Sequence, residues 1–187
     1  MNNPIRWWGQ KHVEFRLFKR HLEKHNIDLR GKSILDAGCG SGYGAELISR
    51  EFNPSRLMAF DYMPEQIERA EKRSVKAEFF VGDVREITLP SDSFDAVFVF
   101  GVLHHVPQWK KALYKIARVL APKGVLLVKE LSNSLLRVAD LLGFYHPAES
   151  RFEWPEFENA LDFAGFNILE KGTIIENGFH SFLCMKQ

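Results

Sequence analysis

The chain has 187 residues, 45% of them hydrophobic, a size and composition that fit one domain able to bury its own core. Its 25 basic and 24 acidic residues leave a formal charge of +1, so no field of the whole molecule draws in nucleic acid, and none is expected as a partner. Two cysteines, Cys39 and Cys184, suit a reducing compartment better than a disulfide framework, no apolar run approaches the roughly 20 residues of a membrane span, and the first residues lack the order of a secretory signal; a cytoplasmic location is expected.

From Arg6 to His25, apolar Phe15, Phe18 and Leu22 alternate with Arg16, Arg20 and Lys24 at every fourth position, the pattern of an amphipathic helix with one basic face. Ser33 to Ala37 reads as a short strand, followed by helical character from Tyr43 to Phe52 that Asn53-Pro54 ends. Leu57 to Asp61 reads as a second strand. Pro64 then opens a helix at its first turn, with Glu65 and Glu68 near the positive end of the helix dipole. Ala77 to Val81 gives a third strand, and the near-continuous apolar run Phe94 to Phe100 fits a central parallel strand covered on both faces.

Beyond Pro107, residues Trp109, Ala112, Leu113, Ile116, Ala117 and Leu120 fall on one helix face. Pro122-Lys123-Gly124 reads as the stop of that helix, and Val125 to Val128 as a fifth strand ending at Lys129-Glu130. The rhythm then changes. Ser132 to Phe144 looks helical, an aromatic segment runs from Tyr145 to Trp154, and Phe157, Ala160, Leu161 and Ala164 mark one side of a further helix. Phe166 to Ile175 and Phe179 to Lys186 form two strands joined through Asn177-Gly178, a dipeptide suited to a tight hairpin turn.

Strands alternating with helices imply an α/β fold, a parallel sheet doubly wound by right-handed crossovers, here with an antiparallel last strand. The chain divides on this reading into a helical cap at 1–30, a cofactor-binding core at 31–130, and a substrate-side segment with the terminal hairpin at 131–187, all in one domain spanning 1–187.

Ile34 to Arg50 carries most of the chemistry, because it is a buried strand, a glycine-rich turn and the start of a helix. In open parallel sheets such a turn lies where ligands dock. Gly38, Gly40 and Gly42 allow close approach of a ligand to the backbone. Gly40, Gly42 and Ala45 satisfy a dinucleotide fingerprint, with Asp61 near the expected offset of about 20 residues, so a nicotinamide-dependent oxidoreductase is one reading. Against it stands Asp36, whose carboxylate near the turn opposes a pyrophosphate and suits a ligand with an ammonium and a sulfonium; alternatively, Asp36 caps backbone amides of the turn. No Gly-Lys-Ser or Gly-Lys-Thr follows, so a Walker-type phosphate loop is disfavoured.

Four ordered pieces, LDAGCGSG, FDYMPEQIERA, VGDVREITLPSDSFDAVFVFGVLHHV and a proline-glycine turn before VLLVKE, give the region from Gly31 to Glu130 a specific likeness. The chain resembles the class I S-adenosylmethionine-dependent methyltransferases, within the group that methylates small molecules. The resemblance implies a Rossmann-like seven-stranded sheet of order 3-2-1-4-5-7-6 with strand 7 antiparallel, and S-adenosyl-L-methionine as cofactor. It further implies that Gly38 and Gly40 face the methionine part and that Asp61 accepts both ribose hydroxyls. Tyr62 and Met63 would flank the adenine, the Asp83 carboxylate and Val84 amide would hold its edge, and Phe100 and Gly101 would offer a backbone carbonyl to the ammonium.

The sulfonium makes the methyl group an electrophile, so the protein mainly aligns an acceptor and excludes water. The Asn-Pro-Pro-Tyr type of motif, a Pro-Cys pair, and an acidic trio with asparagine for magnesium are all missing; no metal is expected. His104, just after the fourth strand, is the candidate general base, with His105 behind it. Glu130 and His146 read as surface or pocket-wall groups, and Cys39 as a packing residue. The acceptor is expected to be a small apolar or aromatic molecule, held between the amino-terminal helix and residues Leu135 to Phe157 by Trp7, Trp8, Tyr145, Phe152 and Trp154. The basic, aromatic amino terminus leaves peripheral contact with a membrane surface open. A non-catalytic module that binds S-adenosylmethionine also remains as a reading, since fold alone does not establish activity.

Overall fold

The computed structural model describes residues 13–143, 146–175 and 178–187. Helix α1 (Phe15–Lys24) precedes β1 (Ser33–Ala37), α2 (Tyr43–Phe52), β2 (Arg56–Asp61), α3 (Pro64–Ala70) and β3 (Glu78–Val81). Then follow β4 (Phe94–Phe100), α4 (Trp109–Val119), β5 (Leu120–Leu131), α5 (Asn133–Leu141), α6 (Trp154–Phe163), β6 (Phe166–Ile175) and β7 (Phe179–Lys186). The strands make one sheet of order β3-β2-β1-β4-β5-β7-β6. Pairing is parallel from β3 through β5, and β7 runs antiparallel to both β5 and β6, as the resemblance implies.

The two-sided apolar character of β4 follows from its place in the middle of the sheet. Val97 and Val99 face a core built with Trp109, Leu113 and Ile116 of α4 and Phe157 and Leu161 of α6. Ala96, Phe98 and Phe100 face the other side, against Phe15, Phe18 and Leu22 of α1 and Phe52 of α2. Phe98 stacks on Phe100 at 5.8 Å, and Phe18 meets Phe100 at 5.3 Å. Each such side chain, taken fully out of water, contributes about 1.5–3 kcal/mol. The apolar stripe of α1 is therefore fixed by β4, and its basic stripe is left to solvent.

One boundary, that of β5, differs from the sequence reading by several residues. The first helix was read from Arg6, and its first residues lie outside those described. Strand β5 begins at Leu120, immediately after α4, and Pro122-Lys123-Gly124 is looped out of the strand: the register passes from Phe94↔Leu120 to Ala96↔Val125. Lys123 takes a φ of 62° in that loop. Leu120 pairs with Phe94 before the loop, so the proline-glycine signal marks a bulge within β5 and not the gap between helix and strand. Asn177 lies outside the described residues, while the β6–β7 register either side of it has the form of a hairpin. Among the described residues no helix is long and apolar enough to cross a membrane.

The chain leaves β1 toward β2 and leaves β4 toward β5, in opposite directions across the sheet. The crevice beyond the carboxyl ends of these neighbouring strands is where a doubly wound fold takes a ligand.

Candidate active site

The glycine turn after β1 is shaped by contacts that leave no room for side chains at one position and leave a gap at another. Gly38 has a φ of +80°, and a Cβ there would lie 2.5 Å from Val102 Cγ2, in the loop after β4. Gly40, with a φ of +54°, would place its Cβ in open space. The amides of Gly38 and Cys39 donate to the Phe60 carbonyl at 2.8 and 2.9 Å, which ties the turn to β2. Cys39 is buried and burial pushes its thiol well above the ordinary range, so it packs and does not react.

Asp61, at the end of β2, joins two loops. Its Oδ2 accepts the Gly40 amide at 2.9 Å and its Oδ1 accepts the Met63 amide at 3.0 Å. Its own carbonyl accepts the Gly82 amide at 2.9 Å, linking β3 to the same edge. Each carboxylate oxygen retains accepting capacity beyond these bonds. Beside this acid, Tyr62 and Met63 are 69% and 41% exposed.

Asp36 differs from what the sequence led one to expect of it. It does not cap the turn, a task that falls to Asp61, and it does not rim the crevice as an exposed charge. It is fully buried near the end of β1. Neither oxygen has a well-formed hydrogen bond, and the Ala45 amide exerts only a weak lowering influence. Burial, followed by the neighbouring Asp61 charge, raises the Asp36 carboxyl to about 8. A buried acid without a partner is energetically unfavourable once ionised, and a cation at the turn would relieve that.

Asp83 follows β3 and is already engaged. Arg85 grips its two oxygens through Nε at 3.0 Å and Nη2 at 2.6 Å, and the Arg85 amide donates to Oδ1 at 2.8 Å. The Arg85 side chain holds this carboxyl below its ordinary range. The Val84 side chain is buried in the core, so only its backbone faces outward from this turn. Phe100 is likewise buried among aromatic rings. Gly101, with a φ of +69°, donates its amide to the Lys129 carbonyl at 2.8 Å.

The loop after β4 is held by Glu130, which the sequence reading treated as a surface or pocket-wall group. Glu130 is fully buried; its Oε1 accepts the amides of Val102 at 3.0 Å and Leu103 at 2.8 Å. Its Oε2 accepts Nδ1–H of His104 at 2.6 Å, which leaves Nε2 as the remaining nitrogen of that ring. Burial works to raise the Glu130 carboxyl, and the His104 ring with the Leu103 amide outweighs it, so the group is held below its ordinary range. Ser150 Oγ donates to the His104 carbonyl at 2.6 Å. His104 is thus buried and pinned on both sides. Residue type at the end of an apolar strand, the signal that singled out Asp61, was equally present at Glu130. A second buried pair escaped notice altogether: Lys129 Nζ lies 3.2 Å from Glu14 Oε1 and 4.4 Å from the Phe179 ring centre.

The structure brings Asp36, Gly38, Gly40, Asp61, Gly101 and His104 to one edge through these contacts, with Asp83 and Val84 one strand further out. The aromatic wall assigned to the acceptor is corrected at Phe152. Phe152 is core, stacked with Phe157 at 4.7 Å and packed on Trp109 at 4.8 Å, and Trp154 stacks on His180 at 3.9 Å. These contacts place Phe152 in the core, while Trp154, at the start of α6, remains partly exposed. Trp7, Trp8 and Tyr145 lie outside the described residues.

A seven-stranded sheet of this order, with a glycine turn and an acid at the end of β2, defines a cofactor-binding methyltransferase architecture. The methyltransferase domain family matches residues 35–128, and the chain belongs to the class I S-adenosylmethionine-dependent methyltransferases. It is 31% identical over 156 residues to the fatty-acid O-methyltransferase of Mycolicibacterium smegmatis, a match covering 82% of this chain and 51% of that protein. It is 35% identical over 130 residues to the sterol 24-C-methyltransferase ERG6A of Gibberella zeae, covering 63% of this chain and 34% of that protein. An S-adenosylmethionine-dependent methyltransferase from Mesorhizobium loti has the same fold, with a TM-score of 0.77 at 18% identity over 92% of this chain and 97% of that one. The chain spans about half or less of the length of these two curated relatives.

Proposed function

We propose that the chain transfers a methyl group from S-adenosyl-L-methionine to a small, lipid-like acceptor. The observation that carries the cofactor half of this reading is Asp36, a buried carboxyl without a well-formed partner behind a glycine turn. Such a site suits a cationic nucleoside, whose positive charge favours ionisation of the buried carboxyl.

The cofactor, when bound, supplies a methyl group already activated by its sulfonium. The chain's residues then bind and orient. The gap at Gly40 admits the methionine part, with Gly38 beside it, and Asp36 offsets the positive charge. Asp61 accepts the ribose hydroxyls on its remaining lone pairs, Tyr62 and Met63 cover the adenine, and the Val84 amide and Asp83 meet its edge. The backbone at Phe100 and Gly101 receives the ammonium. His104, its Nδ1 held by Glu130, is oriented to hold an acceptor proton at Nε2.

The lipid-like acceptor is supported by two features. The fatty-acid and sterol methyltransferases named above act on apolar molecules. Helix α5, which leaves the carboxyl end of β5, exposes Val138 and Leu141, with its C-cap Leu142, at 53%, 87% and 73%, an apolar face that suits an acyl chain or a lipid surface.

Melting curves with S-adenosylhomocysteine and with NAD test the cofactor, since a ligand raises stability according to its occupancy. A shift with S-adenosylhomocysteine is expected, and a shift with NAD alone sinks the proposal. Radiolabelled methyl transfer to a panel of fatty acids, sterols and phenols then tests the acceptor; transfer only to polar acceptors, or to none, overturns that half.

A further inference from the structure

We infer that His104, His105 and His146 form a binding site for a borderline divalent cation of the zinc type. One ring nitrogen from each residue lies within 4.8 Å of the others. The ring centroids are 4.2 Å apart for His104 and His105, 4.9 Å for His105 and His146, and 5.5 Å for His104 and His146. Imidazole nitrogens bind zinc at about 2.0–2.1 Å, so a tetrahedral set needs nitrogens about 3.4 Å apart. The present spacing closes to that by about 1 Å of side-chain movement.

The surroundings carry the inference further than the cluster alone. His104 Nδ1 is held by Glu130 at 2.6 Å and His146 Nδ1 by Asp140 at 2.8 Å, which leaves the Nε2 atoms of these two rings for an ion. Both acids are themselves anchored, Glu130 by the amides of Val102 and Leu103 and Asp140 by the His146 amide and Arg151. A carboxylate behind two of the three rings, His104 and His146, fixes the tautomer, aims Nε2 and makes it a better ligand, the arrangement usual around histidine-bound metals. Two of the three rings are buried and His105 is exposed, which gives an ion an entry path.

Three histidines leave one coordination position open. The cluster borders the end of β4, since a Cβ on Gly101 would lie 3.4 Å from His104 Cε1. An ion there takes the lone pair that His104 would otherwise offer an acceptor, and presents its open position to an oxygen or a water in its place. Binding of the ion does not depend on the methyl-transfer reading.

The test uses the full chain, freed of metal by a chelator and dialysed, then titrated with Zn²⁺ by calorimetry and with Co²⁺ by visible absorption. One ion per chain is expected, with the absorption bands of a four- or five-coordinate cobalt centre. His146→Ala and His105→Gln should each weaken binding by more than about a hundredfold, and Asp140→Asn by about ten- to a hundredfold. Cys39 and Cys184 are both buried and do not compete. If His146→Ala fails to melt cooperatively, His105→Gln, altered on an exposed ring, carries the comparison. A stoichiometry well below one, or wild-type affinity in His105→Gln, overturns the inference.

Discussion

Glu130 closes a bridge between the ends of two adjacent strands, accepting His104 Nδ1 at 2.6 Å on one oxygen and the Val102 and Leu103 amides on the other. Removing it strands three donors in a buried place. Glu130→Ala should therefore lower unfolding free energy by about 3–5 kcal/mol, and Glu130→Gln, which keeps an acceptor for the amides, by clearly less. Because its folded-state carboxyl titrates below the ordinary range, its contribution is present above about 4.5, the ordinary glutamate range, and disappears as pH falls through the folded value. Urea unfolding of wild type and Glu130→Gln from pH 7 down to pH 3 checks both; equal pH dependence of the two removes the argument.

Asp36 has the opposite sign. Its carboxyl ionises near 4 when unfolded and at about 8 when folded. Between those values the unfolded state binds fewer protons, so the stability of the ligand-free protein should fall as pH rises from about 4 to about 8. Asp36→Asn should flatten that slope, raise the melting temperature at pH 8, and lose most of the stabilisation given by S-adenosylhomocysteine. Thermal melts from pH 5 to pH 9, with and without the ligand, supply the comparison.

The two neighbouring glycines should separate folding from binding. Gly38→Ala drives a Cβ to within 2.5 Å of Val102 at a φ of +80°, which should destabilise the fold by about 2–4 kcal/mol from crowding and left-handed strain together. Gly40→Ala meets nothing and incurs only the strain, about 1 kcal/mol. Its added methyl group nevertheless occupies the gap proposed for the cofactor, so S-adenosylhomocysteine affinity should drop at least tenfold. Denaturant titration beside calorimetry reads the two effects separately.

Leu141 and Leu142 are almost bare to solvent. Replacing both with serine should change stability by less than about 0.5 kcal/mol each. If α5 receives an acyl chain, the double variant should raise KM for long-chain acceptors while leaving kcat and short-chain acceptors unaffected. Equal KM values for both chain lengths would remove α5 from the acceptor site.

Much of the architecture was legible because it rests on local signals. The apolar run of β4 and the alternating faces of α4 come from residues close in sequence, and their bounds needed little tertiary information. Asp61 and the glycine turn could be placed for the same reason. What stayed hidden depends on partners far along the chain. Phe152 looks like a wall residue until Trp109 and Phe157 are seen to enclose it. The roles of Glu130 and His146 arise from His104 and Asp140, which periodicity does not bring together. Asp36 was recognised as chemically important, but a one-dimensional pattern does not say whether an acid is solvated or desolvated, and its properties turn on that difference.

Asp61 grips the Gly40 amide with one oxygen and the Met63 amide with the other. The crevice therefore has its form before any guest arrives, and little chain ordering should accompany occupancy. The heat-capacity change on association should match the apolar area covered by the nucleoside alone, without the larger decrement that folding on binding would add.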